Sequence, residues 1–487
     1  MEKILQNILF YLILIDFIFI PLYPKLPLFN INETFVAIRL EDFLIALTLA
    51  VWGVFILINK KWKDFFSDTL FQAILLFFGI TFLSTFSGLF LTHSVVSWKL
   101  GLLHFLRRVE FIMLLPVVFY TIKSKKQSLV ILAALSLVVM LINLYALGQQ
   151  FLDWPVISTA NSEFSKGQIL RLTPGARVNS TFAGHYDLAI FLAMVLVFLS
   201  SLFFAFSHRI KAWIVTISLF SGGVLVLTAA RVSFVACAIG IFLSLLINKK
   251  KKLIGLFLII LLVILIYPSQ LRDRLVSTIT INILHLGQRY EPQNNDQRLR
   301  STINIPTLAI KTSSQSASSS TFATSSGGQA SDITPGEPVD STQLGVFRSF
   351  SIRLNLEWPR AILGFLKNPL LGTGYSSLII TAVKDRYDAI ATDNDFLRSL
   401  GEVGILGTFA FSLILIEVLK RLKQGFKASD RFTRYISVGT FMVVVVLLIN
   451  ATFIDVFEAS KVAALFWMIL GLSLAIIKES NGFLRKI

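Results

Sequence analysis

Residues 183–252 read AGHYDLAIFLAMVLVFLSSLFFAFSHRIKAWIVTISLFSGGVLVLTAARVSFVACAIGIFLSLLINKKKK. Their reading decides the fold. The apolar runs near 183–205, 211–228 and 231–248 are each close to the ~20 residues that a helix needs to cross a ~30 Å hydrocarbon core. The breaks between them alternate in charge. Arg209 and Lys211 fill the first, a tight turn with Arg231 alone the second, and Lys249 to Lys252 the third. Loops that alternate between basic and bare are the mark of a chain threading a bilayer, with its basic loops in the cytoplasm.

Working outward, the pattern continues. Further runs lie near 4–24, 40–58, 69–91, 100–120, 128–150, 253–268, 402–419, 435–453 and 462–477. Counting from the inside, the cytoplasmic loops carry Lys60, Lys61 and Lys63, then Lys123, Lys125 and Lys126, then Lys420 to Arg434, and finally Lys478, Arg485 and Lys486. The short loops of the other side are nearly bare, with Lys25, Lys99 and Lys461. The expectation is an all-α, polytopic transmembrane bundle of about twelve spans with both termini cytoplasmic. Residues 1–268 would hold spans 1–9, 269–401 a large extracytoplasmic loop, and 402–487 spans 10–12 and a cytoplasmic tail. Within the loop, 312–343 are Ser/Thr/Gly-rich and too poor in apolar side chains to offset ordering entropy, so disorder is expected there.

Composition agrees. Of 487 residues, 55% are hydrophobic and 15% charged, against about a quarter charged in soluble domains. The net charge of +17 lies in the loops that the topology makes cytoplasmic, not in a basic patch interleaved with aromatics, which argues against nucleic acid. Cys237 stands alone, so no disulfide forms within the chain. The five histidines show no ligand spacing, and neither a metal nor a cofactor is expected. The first apolar run lacks a small-x-small cleavage site and reads as an uncleaved helix.

Ionisable groups beside spans carry the functional signal. Arg231, at a tight turn with Thr228 as the expected N-cap, sits where a helix N-terminus favours an anion; the bland alternative is an arginine snorkelling to headgroups. Arg353 precedes a segment in which Pro359 either interrupts or begins a helix, Asn368-Pro369 ends it, and Gly372 and Gly374 permit a tight return. The GTG there follows no strand and is no dinucleotide fingerprint. Asp393, Asn394 and Asp395 lie at the mouth of the tenth span, where a carboxylate serves as an N-cap or as a general base. Arg177, His185 and Asp187 enter the sixth span, and His185 is a second candidate base. Arg107, Arg108 and Glu110 lie within the fourth span, most simply as one Arg–Glu pair with a spare positive charge for an anion.

Outward-facing arginines suit a pyrophosphate at headgroup level, and a nearby carboxylate or imidazole suits activation of an acceptor hydroxyl. Together they suit displacement at an anomeric carbon with a lipid pyrophosphate leaving. The rival class is a flippase or other transporter of lipid-linked sugars. It has the same span layout, but it favours related halves and polar groups near the bilayer midplane, and neither is seen here.

Three stretches, TAARVSFVA (228–236), RLNLEWPRAILGFLKNPLLGTGYS (353–376) and DNDFLRSLGEVGILG (393–407), resemble the O-antigen ligase and O-antigen polymerase superfamily of bacterial membrane glycosyltransferases. The resemblance covers roughly 175–410. It implies a metal-independent, inverting enzyme of the bacterial cytoplasmic membrane. The donor would be an undecaprenyl-pyrophosphate-linked oligosaccharide, and the acceptor a hydroxyl on a glycan, lipid or protein. Arg231 and Arg353 fall on the family's two pyrophosphate-contacting arginines. Ligases of the family carry His-Asn where this chain has Asp393-Asn394, a departure that turns the expectation toward polymerase-like chemistry.

Overall fold

The computed structural model describes residues 2–31, 37–157, 169–173, 175–284, 353–383, 386–389 and 392–484. The Ser/Thr-rich stretch 312–343 therefore lies outside the described residues, as does most of the expected outer loop. The helices, in order, are α1 (Glu2–Leu22), α2 (Leu40–Ile58), α3 (Trp62–Ser67), α4 (Thr69–Phe90), α5 (Trp98–Thr121), α6 (Lys125–Phe151), α7 (His185–Leu202), α8 (His208–Leu227), α9 (Arg231–Ile247), α10 (Lys251–Ile266) and α11 (Gln270–Leu284). They continue with α12 (Trp358–Lys367), α13 (Asp395–Gly425), α14 (Arg431–Asn450) and α15 (Ser460–Leu484). Three short antiparallel ribbons accompany them: Pro27–Asn30 with Ala37–Arg39, Val156–Ile157 with Ile169–Leu170, and Ile379–Val383 with Arg386–Ala389.

Every apolar run read in the sequence falls on a helix. Nine helices among the described residues are long and apolar enough to cross a membrane, and the bent pair Lys251–Ile266 and Gln270–Thr278 would make a tenth. The other two expected spans differ for physical reasons. α5 carries Lys99, Arg107, Arg108 and Glu110, and α9 is only 17 residues long. The molecule is a multi-pass helical membrane protein.

Burial sorts the helices into layers. The apolar stretch of α15 is wholly buried, and α7 and α14 nearly so. α8, α1 and α2 keep most of their surface on the outside. α10 buries none of its residues and exposes Leu256, Ile259, Leu262 and Val263, a surface that only lipid tolerates. Between helices, close approach and polar contacts replace the hydrophobic drive that lipid cannot supply. A methyl group on Gly471 would lie 2.5 Å from the Leu115 carbonyl oxygen, so α15 and α5 touch backbone to backbone. Thr48 donates to Asp16 (2.8 Å), Asn143 to Ser221 (2.8 Å) and Ser233 to Asn450 (2.7 Å), each across two helices.

Contacts sort the connecting segments onto two ends of the bundle. At the basic end, Arg421 pairs with Asp68, Lys125 with Asp430 and Lys61 with Glu2. At the other end, the buried Lys461 ammonium donates to the carbonyls of Pro21 (3.1 Å), Tyr23 (2.6 Å) and Thr181 (2.6 Å), joining three connections. All the remaining chemistry described below lies at this second end.

Candidate functional site

The site is built on a broken helix. α13 loses helical geometry at Gly404 (φ 66°, ψ −169°), which leaves backbone groups around the break without partners in their own helix. The segment after α12 fills the gap. Thr373 and Gly374 donate to the carbonyls of Gly401 (3.0 Å) and Glu402 (2.8 Å), while Ile405 and Leu406 donate to Pro369 (2.9 Å) and Leu370 (3.2 Å). Gly372 (φ +68°) and Gly374 (φ +90°) make the return, and the Gly372 amide closes onto Asn368 at 2.7 Å. A side chain on Gly372 would meet the Glu402 backbone at 2.5 Å, so only glycine fits. The expected turn is present, and it fixes the 353–374 arm against α13.

That arm brings Arg353 to Asp393. The guanidinium Nη2 lies 2.6 Å from Asp393 Oδ2, with both side chains almost wholly enclosed. Arg353 opens a single π-turn, Arg353–Glu357, and Pro359 then starts α12, so the proline begins a helix here and does not interrupt one. Asp393 adopts a left-handed conformation (φ +49°), uncommon outside glycine. Burial raises its carboxyl above the ordinary range; Arg353 opposes the rise and Asp455 adds to it. Glu357 is also enclosed, and burial together with Asp393 and Asp455 raises its carboxyl further still.

Arg177 and Arg231 stand on the same side. Arg177 Nη1 lies 2.6 Å from His185 Nε2, a contact that makes Nε2 the acceptor and puts the imidazole proton on Nδ1. The His185 ring also stacks near Tyr186, at 4.0 Å between centroids. Arg231 begins α9 and donates to Thr278 of α11. Its charge is felt by Tyr186, Arg353 and Arg177, and that of His185 by Arg274. Three arginines from three separate elements thus share one electrostatic neighbourhood with Asp393, His185 and Tyr186.

Some expectations are corrected. Thr228 does not cap α9: it closes the C-terminus of α8, and the N-cap is Ala230. The turn is so tight that Thr228, Ala229 (φ +50°) and Ala230 are all that separates the helices. At α13 the cap is Asn394, whose side chain accepts from Phe396 and Leu397 at 3.0 Å each, so neither aspartate is needed for that task. Arg107 and Arg108 do not share Glu110 as a simple pair. Arg107 lies 3.9 Å from Asp42, among Lys25, Arg39 and Glu110, while Arg108 joins Glu458. Arg107 therefore belongs to a neighbouring charged group rather than to the three-arginine cluster.

Sequence reasoning passed over the group beneath the site. Arg398 contacts Glu402 (3.1 Å), Asp455 (3.2 Å) and Glu458 (3.3 Å). Asp455 accepts from the amides of Thr392 (2.9 Å) and Asn394 (3.1 Å), one on each side of Asp393. Asp395 returns the clasp by accepting from Val456 (2.7 Å) and Phe457 (3.3 Å). The i, i+4 spacing of Arg398 and Glu402 was a legible signal; the partners in 455–458 were not. Below this network lies a cavity of about 80 Å³ walled by Phe77, Phe111, Phe411 and Trp467. Arg398, Glu402 and Asp395 close its upper end. Among the described residues, no group of three or more His, Cys, Asp or Glu could hold a metal ion.

No curated protein matches the chain. Residues 214–412 match the family model described as O-antigen ligase, a stretch that holds Arg231, Arg353, Gly372, Gly374, Asp393 and Asn394, so over this stretch the chain is similar to the O-antigen ligases.

Proposed function

We propose that this protein is an inverting glycosyltransferase that takes a glycan from a polyprenyl-pyrophosphate carrier, undecaprenyl in bacteria, at the outward face of the cytoplasmic membrane. The family match supports an O-antigen ligase-like function. The observation that carries the finer reading is that Arg231 lies within electrostatic reach of Arg353 and Arg177, while Arg353 pairs with the enclosed carboxylate of Asp393. Guanidiniums gathered in this way match a pyrophosphate in charge and geometry.

In this reading Arg231 and Arg353 hold the pyrophosphate, with Arg177 completing the positive wall. Asp393 takes the proton of the acceptor hydroxyl as its oxygen attacks the anomeric carbon. The pyrophosphate then leaves with the electron pair, and the arginines stabilise the charge that develops on it. Asp393 is preferred over His185 because His185 Nε2 already accepts from Arg177, and over Asp395 because both its contacts are spent on backbone amides. The positive-inside pattern supports cytoplasmic termini, which puts this end of the bundle outside.

The test is reconstitution in lipid discs with the host's polyprenyl-pyrophosphate-linked oligosaccharide. A ladder of longer lipid-linked glycans that vanishes in R231A marks a polymerase. Transfer to an added lipid or protein acceptor without a ladder marks a ligase. Neither product, with the same lipid crossing the bilayer of vesicles, replaces the enzyme with a flippase. Full activity in stable R231A and R353A proteins would overturn the pyrophosphate site.

A further inference from the structure

The transfer needs more than a base and cations, and one buried group is left over. Glu357 closes the π-turn that Arg353 opens, so both side chains leave a single turn. It occupies the N-cap position of α12, where a carboxylate would ordinarily accept from the first backbone amides, yet it makes no such bond. The residue is only 6% exposed. Its Oε2 has no hydrogen-bond partner among the described residues, and neither has Asp393 Oδ1. A buried carboxyl with one oxygen left without a hydrogen-bond partner, near an arginine, is a group whose partner is still to arrive.

We infer that Glu357 acts as a neutral carboxylic acid that donates a hydrogen bond to the departing pyrophosphate. This rests on the transferase reading above. The charges around Glu357 decide its state. Arg353 faces it from its own turn, Asp393 from the turn before α13 and Asp455 from the connection before α15, while Asp393 in turn faces Arg398. Two ionised carboxylates beside an arriving pyrophosphate would repel it. One ionised and one protonated carboxyl would not, and their environments already separate them, with Glu357 the more strongly raised. Carboxyls pushed apart in this way divide into base and acid roles.

The step balances. The acceptor oxygen forms a bond to the anomeric carbon, and its proton passes to Asp393. The bond from that carbon to the pyrophosphate oxygen breaks, and the electron pair leaves with the oxygen. Arg231, Arg353 and the Glu357 O–H hold the oxygen charge as it grows, and Asp393 afterwards loses its proton to water.

The experiment compares wild type, E357Q and E357A in discs, with the polyprenyl-pyrophosphate-linked oligosaccharide as substrate, between pH 6 and 10. The wild-type rate falls as pH rises through the Glu357 titration. E357Q keeps an N–H donor, so it retains at least about a third of the peak rate and loses the alkaline decline. E357A has no donor and falls on the order of 10²-fold, the usual cost of removing one such donor. A thermal melt of each protein in the same discs separates loss of donor from loss of fold, and E357Q carries the test if E357A does not fold. An unchanged alkaline decline in E357Q, or a folded E357A within threefold of wild type, overturns the role of Glu357 and leaves the transferase reading standing. An inactive wild type overturns the transferase reading itself.

Discussion

Two arginine centres adjoin at Asp393 and have opposite characters. Arg398 is closed: Glu402, Asp455 and Glu458 surround it, and Asp395 beside it is held by two amides. The centre of Arg353 is different: Asp393 Oδ1 and Glu357 Oε2, both enclosed beside it, have no hydrogen-bond partner among the described residues. Buried charge that is fully paired builds structure; buried polar atoms without partners are where a ligand is sought. The two centres meet at Asp393, which Arg353 binds through its side chain and Asp455 through the amides on both sides of it.

The sharpest way to break this contrast is to remove Arg398. R398A leaves the enclosed carboxyls of Glu402 and Asp455 without their cation, while Glu458 keeps Arg108, and the expected cost is about 3–5 kcal/mol of stability. A large fall in melting temperature in detergent would show it; a melt like that of wild type would mean the closed centre is not structural. Next comes the open centre. R231A should lower turnover by about 10²–10³ while leaving the melt close to wild type, and a melting loss as large as that of R398A would erase the distinction.

Smaller effects sharpen the picture. N394A removes the cap of α13 and should cost about 0.5–2 kcal/mol, with N394D recovering most of it, as read from melting curves. D455N tests the shared boundary by pH. Asp455 raises the Asp393 carboxyl, so removing its charge lowers that carboxyl. A base works only when ionised, so the acid limb of the rate profile should move to lower pH. An unmoved limb would show that Asp393 is not the titrating base.

Much of this architecture was open to reading because it is local. Apolar length and the alternation of basic loops are properties of neighbouring residues, and every run found its helix. The return at Gly372 and Gly374 was legible for the same reason. What escaped depends on distance along the chain. Arg398 finds Asp455, 57 residues later, only once α13, α14 and α15 are assembled. Thr228 was misread because the tight turn puts the cap two residues further on, at Ala230. The neighbours of Arg107 escaped because they come from the Lys25 and Arg39 region, which no spacing within α5 reveals.

The Gly404 break also imposes an order of assembly. Residues 369–374 leave the ribosome before 401–406 do, and until those arrive the amides of Thr373 and Gly374 have no carbonyl to meet. The later helix, in turn, cannot place Ile405 and Leu406 amides in a nonpolar setting before the earlier strand is alongside. Neither piece is finished without the other, so the arm bearing Arg353 and the helix behind Asp393 mature in one event. A half-built chain carries neither centre.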